Sequence, residues 1–302
     1  MMRRPAALLA LCASLVLSTQ ALAAELPQAQ AAELPQRWVS AGGALSEWIA
    51  ALGGEARLVG VDTTSQHPAS LKSLPSVGYQ RQLSAEGILS LRPDVLVGTE
   101  EMGPPPVLAQ IRKAGVRVEL FSSKAELAAV DENLKHLGQL LGAEQQASAL
   151  SAGYHQQLQA LQAGVKQAQA GHKVPGVLLL VGHAGAKPLI AGQGTAGDWL
   201  LGQAGGRNLA EHQGYKNFSN EALAALDPDV IVFSDRALAD EQALQALLKE
   251  NPALAASRAV REKRLVSLDP TLLVGGLGPR LPATLQSLAA TFYPAAKASF
   301  AQ

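Results

Sequence analysis

The 302-residue chain has a single cysteine, Cys12, and it lies within the first 23 residues. Once those residues are removed, disulfides, thiolate metal sites and a cysteine nucleophile are all excluded, so the fold must hold by core burial alone. An excess of charge of either sign is also missing, because 25 basic residues balance 25 acidic ones. No basic stripe interleaves with aromatics, which excludes a nucleic-acid partner. The six histidines are scattered without paired spacing, which argues against a dedicated zinc or manganese site. Beyond the N-terminus no apolar run approaches the roughly 20 residues that a membrane span requires.

What is present begins with an export signal. Arg3 and Arg4 precede an apolar stretch from Ala6 to Leu17, and Ala21-Leu22-Ala23 offers small residues for cleavage after about Ala23. Leu11 stands where a lipoprotein site at Cys12 would need a small residue, so the expectation is a cleaved signal peptide over 1–23 and a soluble protein outside the cytoplasm. Loss of the two arginines leaves 23 basic against 25 acidic residues. Residues 24–36, rich in Ala, Gln and Pro, read as a flexible leader.

From Arg37 the apolar pattern alternates between strand and helix. Trp38-Val39-Ser40, Leu58–Val61, Val95–Gly98 and the alternating Val116–Leu120 predict strands. Leu45, Trp48, Ile49 and Leu52, then Ser84–Leu91, then the run after Pro104-Pro105-Pro106, predict the helices between them. Strand, helix and strand within about 25 residues imply parallel pairing through a crossover. Residues 37–123 therefore form an α/β lobe, in which the long loop from Asp62 to Gly78 delivers the chain to Tyr79. Helical spacing then runs from Leu127 to Val165 with an interruption at Gly142, predicting a broken helical strut over 124–171. Residues 172–302 repeat the α/β plan. Strands are predicted at Val177–Val181, Val230–Phe233 and Arg264–Leu268, and helices at Gly197–Ala204, Ser219–Leu226, Glu241–Lys249 and from Arg280 to Phe292.

The two lobes share an internal repeat. Leu83–Val97 laid over Phe218–Val232 gives seven identical positions of fifteen, and Gly78-Tyr79 has an echo in Gly214-Tyr215. Ser84 and Ser219 fit helix N-caps, placing Glu86 and Glu221 in first turns, where a negative charge suits the helix dipole. Duplication adds a second meaning, since one carboxylate per lobe can present a two-point contact to a symmetric partner.

These residues resemble the substrate-binding proteins of bacterial ABC importers for iron chelates and cobalamin, and among them most closely the periplasmic haem-binding proteins. The motifs that carry the resemblance are Leu74–Gly87, Ile190–Ala196 and Gly278-Pro279-Arg280-Leu281-Pro282. The resemblance implies two Rossmann-like α/β lobes with mostly parallel sheets, joined by a long rigid helix, with the ligand cleft between them. It implies Tyr79 as the axial ligand of ferric haem b, the transported ligand, and Glu86 and Glu221 as contacts to arginines of a permease dimer in the inner membrane. Arg81 and Arg280 are the candidate supporting cations, stabilising the phenolate or pairing with a propionate. Some members hold a second haem through a histidine where this chain has His183, and Tyr215 is a further candidate for that position or for the pocket wall. An outer-membrane haem receptor system is an expected partner further upstream.

The chemistry agrees with this assignment, because a phenolate is a hard anionic donor suited to Fe(III). A free tyrosine titrates at about pH 10, so ligation at neutral pH needs the metal and a nearby cation. A ferric-siderophore or cobalamin carrier is the alternative reading, although a siderophore completes the iron shell itself and has no need of a protein phenolate. A hydrolase on the same scaffold would need a nucleophile elbow, and no glycine-serine-glycine pattern of that kind occurs. Gly192-Gln193-Gly194 lacks the rest of a dinucleotide fingerprint. The expected protein is a carrier and not an enzyme.

Overall fold

The structure is a computed structural model that describes residues 34–300, apart from 184–185, 218, 236–244, 246–247 and 250. The expected signal peptide, Phe218 and most of the expected helix Glu241–Lys249 lie outside the described residues. Two sheets organise the chain.

In the first sheet, β1 (Trp38–Ala41), β2 (Leu58–Val61), β3 (Val95–Thr99) and β4 (Arg117–Phe121) run parallel in the order β2-β1-β3-β4. Their connections carry α1 (Gly43–Ala51), α2 (Ala85–Ser90) and α3 (Pro105–Lys113). Helices on both faces explain why β1 and β3 are buried at every position, as parallel strands between two layers must be. At the edge, β4 keeps Arg117 and Leu120 exposed.

The sequence pattern after Lys124 is resolved differently from a single broken strut. Gly142 adopts a left-handed conformation at φ +68°, and the chain reverses there, so that α4 (Leu127–Leu141) folds back along the start of α5 (Glu144–Gly171). Asp131 on α4 accepts a hydrogen bond from Ser151 at 2.5 Å and lies 2.9 Å from His155 Nε2 on α5. Gly138 permits the approach, because a Cβ there would stand 2.8 Å from that of Ala147. Periodicity continues across both helices because both bury one face, so it does not reveal the reversal. The long helix is α5 alone, 28 residues and therefore about 42 Å.

The second sheet has the order β10-β9-β5-β6-β8, from β5 (Gly176–His183), β6 (Ala186–Ala191), β8 (Tyr215–Lys216), β9 (Val230–Ser234) and β10 (Leu265–Ser267). The short β7 (Arg207–Asn208) also pairs with β5. Strands β7, β8, β9 and β10 run in the direction of β5, whereas β6 runs antiparallel to both of its neighbours, β5 and β8. The β5–β6 hairpin was not legible in the sequence. Around this sheet lie α6 (Ala196–Gln203), α7 (Asn220–Leu226) and α8 (Leu281–Phe292).

A single apolar cluster crosses from one sheet to the other. It contains Trp38 from the first, Trp48 from α1, Tyr154, Leu158 and Leu161 from α5, Val177 and Val232 from the second, and Leu285 and Phe292 from α8. Full burial of each such side chain stabilises by about 1.5–3 kcal/mol, an upper bound for chains that are partly collapsed when unfolded.

Polar contacts span the same junction. Glu47 on α1 is 6% exposed, and Arg280, immediately before α8, donates to both of its carboxylate oxygens, at 2.9 and 2.7 Å. The same guanidinium donates to Asp269 at 2.9 Å and to Thr271 at 2.7 Å, and His67 meets Asp269 at 2.7 Å. Trp48 Nε1 donates to the Leu277 carbonyl at 2.9 Å. These six contacts make a polar clasp that ties α1 and the loop before Tyr79 to the segment before α8.

Removing one partner of a buried ion pair leaves the other charge desolvated and unpaired. Arg280→Ala should therefore destabilise the protein by about 3 kcal/mol in urea unfolding, with Arg280→Lys recovering only part, because lysine lacks the two-pronged geometry. A loss below about 1 kcal/mol would place the pair with ordinary surface salt bridges.

Candidate functional site

Tyr79 owes its position to the residues on either side of it. Val77 N–H donates to the Val61 carbonyl at 2.9 Å and extends the first sheet by one bridge. Gly78 then turns at φ +87°, a conformation glycine adopts without steric penalty, and its carbonyl accepts from Thr63 N–H at 2.9 Å. A turn closes from Gln82 N–H to the Tyr79 carbonyl at 2.7 Å. Gln80 points inward and is fully buried, which leaves Tyr79 at 37% exposure and Arg81 exposed on either side of it.

Arg81 Nη2 donates to Glu101 Oε2 at 2.5 Å. That hydrogen bond is the main reason its pKa is raised, and the nearby Tyr79 phenol contributes in the same direction. Tyr79 and Arg81 are therefore electrostatic neighbours.

The same device operates in the second lobe. Gly214, at φ +73°, precedes Tyr215, and its carbonyl accepts from Gly192 N–H at 2.9 Å. Strand β8 pairs Tyr215 with Ala191 of β6. Tyr215 is 42% exposed, yet the walls around its phenol crowd out water and push its pKa above the usual tyrosine value. A hydrogen bond with Thr195 opposes that rise, and the charge of Glu101 adds to it. Glu101, from the first lobe, thus acts on groups of both lobes.

Between them lies an open cleft of about 730 Å³, within the range of about 300–1,000 Å³ typical of small-molecule sites. Arg81 and Glu101 line one wall, Thr195, Asp198, Trp199 and Tyr215 the other, and the segments 123–126 and 273–277 join them. Trp199, Leu273, Val274 and Leu277 supply apolar surface. Sequence reading missed Glu101, Lys124, Glu126 and Trp199. They carry no motif, and only the topology brings them together.

Arg280 is not among the lining residues, and its guanidinium is committed to the clasp. The expectation that it supports a ligand has a competing physical account in the buried Glu47. His67 belongs to the same clasp, and His212 Nε2 lies 3.2 Å from the Ile190 carbonyl. His183 ends β5, but its side chain is outside the described residues.

The repeated helices begin alike. Ser84 accepts from Gly87 N–H at 3.4 Å and Ser219 from Ala222 N–H at 3.2 Å. Glu86 is exposed in the first turn of α2. Glu221 lies in the first turn of α7, with its side chain outside the described residues.

Two α/β lobes, a long helix and a cleft lined by loops of both define a solute-binding protein. A family profile described as periplasmic binding protein matches residues 39–272, and the chain belongs to that family. It is 62% identical to a periplasmic haem-binding protein from Pseudomonas aeruginosa, with a TM-score of 0.84 over 86% of this chain and 94% of that one. It is 40% identical to the periplasmic haem-binding protein BhuT, solved in complex with two haems, with a TM-score of 0.76 over 86% of this chain and 98% of that one. It is also 26% identical to YvrC of Bacillus subtilis (strain 168), an uncharacterised ABC transporter substrate-binding lipoprotein, over 82% of this chain and 77% of that one.

Asp269 gives the clasp a pH dependence. Burial works to raise its pKa, but hydrogen bonds from Thr271, the charge of Arg280 and the contact with His67 outweigh it, and the net shift is downward. A carboxyl lowered on folding stabilises fully above its unfolded value, about 3.9, and loses that contribution as pH falls through the folded value. The urea midpoint of the parent should therefore fall more steeply below about pH 4 than that of Asp269→Asn. Parallel profiles would remove Asp269 from the acid response.

Proposed function

We propose that the protein is a periplasmic carrier that captures ferric haem b in the inter-lobe cleft and delivers it to an ABC permease of the inner membrane. The observation that carries this reading is the exposed Tyr79 beside Arg81, a residue that lines the cleft, in a chain 62% identical to a haem-binding protein. Haem leaves axial positions of its iron open, and the exposed Tyr79 phenol is a donor able to fill one. Arg81 supplies a nearby cation able to donate a hydrogen bond to an iron-bound phenolate oxygen. Its partner Glu101 competes for the same guanidinium, so haem capture would redistribute Arg81 between a carboxylate and the ligated phenolate.

The family is one of binding proteins, and the role proposed is carriage without chemistry on the cargo. Export through a signal peptide cleaved after about Ala23 would place the protein in the periplasm, downstream of an outer-membrane haem receptor system. Delivery would use Glu86 and Glu221, one from each lobe, against basic residues of a two-fold permease. Tyr215 is proposed as a wall of the haem pocket, and His183, with Tyr215, as the place for a second haem.

Titration of the mature protein with ferric haem should give a saturable Soret shift and a high-spin charge-transfer band, both lost in Tyr79→Phe. A band that persists in the variant would assign the iron to another ligand, and no saturable change in the parent would bring siderophores and cobalamin forward. Replacing Glu86 and Glu221 together by Ala should abolish haem transport into vesicles containing the permease while haem affinity stays at the parent value. An unchanged transport rate would sink the docking role.

A further inference from the structure

The cleft is poorly matched in charge to a dicarboxylic ligand. Its lining carries the carboxylates Glu101, Glu126 and Asp198 against the cations Arg81 and Lys124. Asp198 is engaged, accepting from Gly194 N–H at 3.1 Å and from Asn208 Nδ2 at 2.9 Å. Arg81 is engaged by Glu101 at 2.5 Å. Lys124 is exposed on the linker between β4 and α4, and among the described residues no carboxylate pairs with it. It is thus the lining cation still available to a ligand.

Its surroundings suit an anionic edge. Opposite the linker, Gly275 and Gly276 turn at φ +81° and +90°, and a Cβ on Gly276 would come within 3.2 Å of the Ser122 carbonyl, so the two segments are drawn close. The amides of Gly275, Gly276 and Leu277 donate to no other group among the described residues. An ammonium and unpaired backbone donors at one end of a cleft form a site for a carboxylate.

We infer that Lys124 is the carboxylate-binding residue of the cleft, holding a haem propionate at the junction of segments 122–126 and 273–277. This orients the macrocycle with its acid edge at that junction and its iron toward Tyr79. The inference rests on the haem-carrier reading and adds to it a determinant of orientation and of selectivity for the free acid.

The test compares ferric haem with its dimethyl ester, which keeps the macrocycle and iron but has neither carboxylate charge. Affinities for both are measured by absorbance titration for the parent, Lys124→Gln and Lys113→Gln, the last changing net charge on the exposed end of α3. Lys124→Gln should weaken ferric haem by about fivefold, the upper range for a solvent-accessible ion pair. It should leave the ester and the charge-transfer band at parent values, with Lys113→Gln indistinguishable from the parent. Equal affinity of parent and Lys124→Gln for ferric haem overturns the inference, as does equal weakening of haem and ester, which would mark a packing effect. Either failure leaves the carrier reading intact, because that reading fails only if the parent itself does not bind haem.

Discussion

The arrangement of this protein depends on a buried negative charge. Glu47 sits on α1 beneath the first sheet with almost no access to water, and a carboxylate there is tolerated only with a partner that satisfies both oxygens. Arg280 supplies that partner from the far end of the chain, 233 residues away. Once its guanidinium is fixed, Asp269 and Thr271 are fixed with it, and the loop 273–277 that lines the cleft is held between them and α8. Asp269 in turn holds His67, in the loop that leads to Tyr79. The position of the cleft wall and the approach to the tyrosine thus depend on one requirement, which gives the arginine of the Gly-Pro-Arg-Leu-Pro motif a structural role.

The repeat has a similar economy. In both lobes a glycine in the left-handed region presents a tyrosine, and a serine cap a few residues later starts a short helix with a glutamate in its first turn. In the second lobe the tyrosine lines the cleft; in the first it is exposed two residues before the lining Arg81, and the glutamate is exposed on the helix beyond it. The turn and the start of the helix set the two side chains apart within one short segment. The lobes are not copies, since the second sheet gains an antiparallel hairpin that carries the pairing strand of Tyr215.

The apolar cluster beneath α5 bears on how such a cleft works. Opening the lobes widely would expose Trp48, Tyr154 and their neighbours on either side of the long helix, and large apolar interfaces resist relative motion. Affinity must then be set in the cleft itself. There Glu101 already holds Arg81, so any ligand that draws on the same guanidinium has to compete with that carboxylate.

Much of this was legible in the chain. Alternating apolar runs place β1 to β4, β9, β10 and the helices around them, because strand and helix each bury a characteristic periodicity. The Gly-Tyr turns and the Ser-x-Glu caps are local, and local sequence contains their physics: a residue without Cβ where φ is positive, and a hydroxyl where amides lack partners. Four things were not legible, the first being the β5–β6 hairpin. The reversal at Gly142 leaves the apolar stripe unbroken, so periodicity alone joins α4 to α5. The fate of Arg280 depends on Glu47, whose burial is a property of the packed helix and not of its neighbours in sequence. The cleft lining, with Glu101, Lys124 and Trp199, is assembled from segments far apart in the chain. The sequence by itself determined most of the elements, the repeat and the Gly-Tyr turns. Only tertiary structure decided which charges were paired and which remained for a ligand, because burial and long-range contact set the energy of a charge.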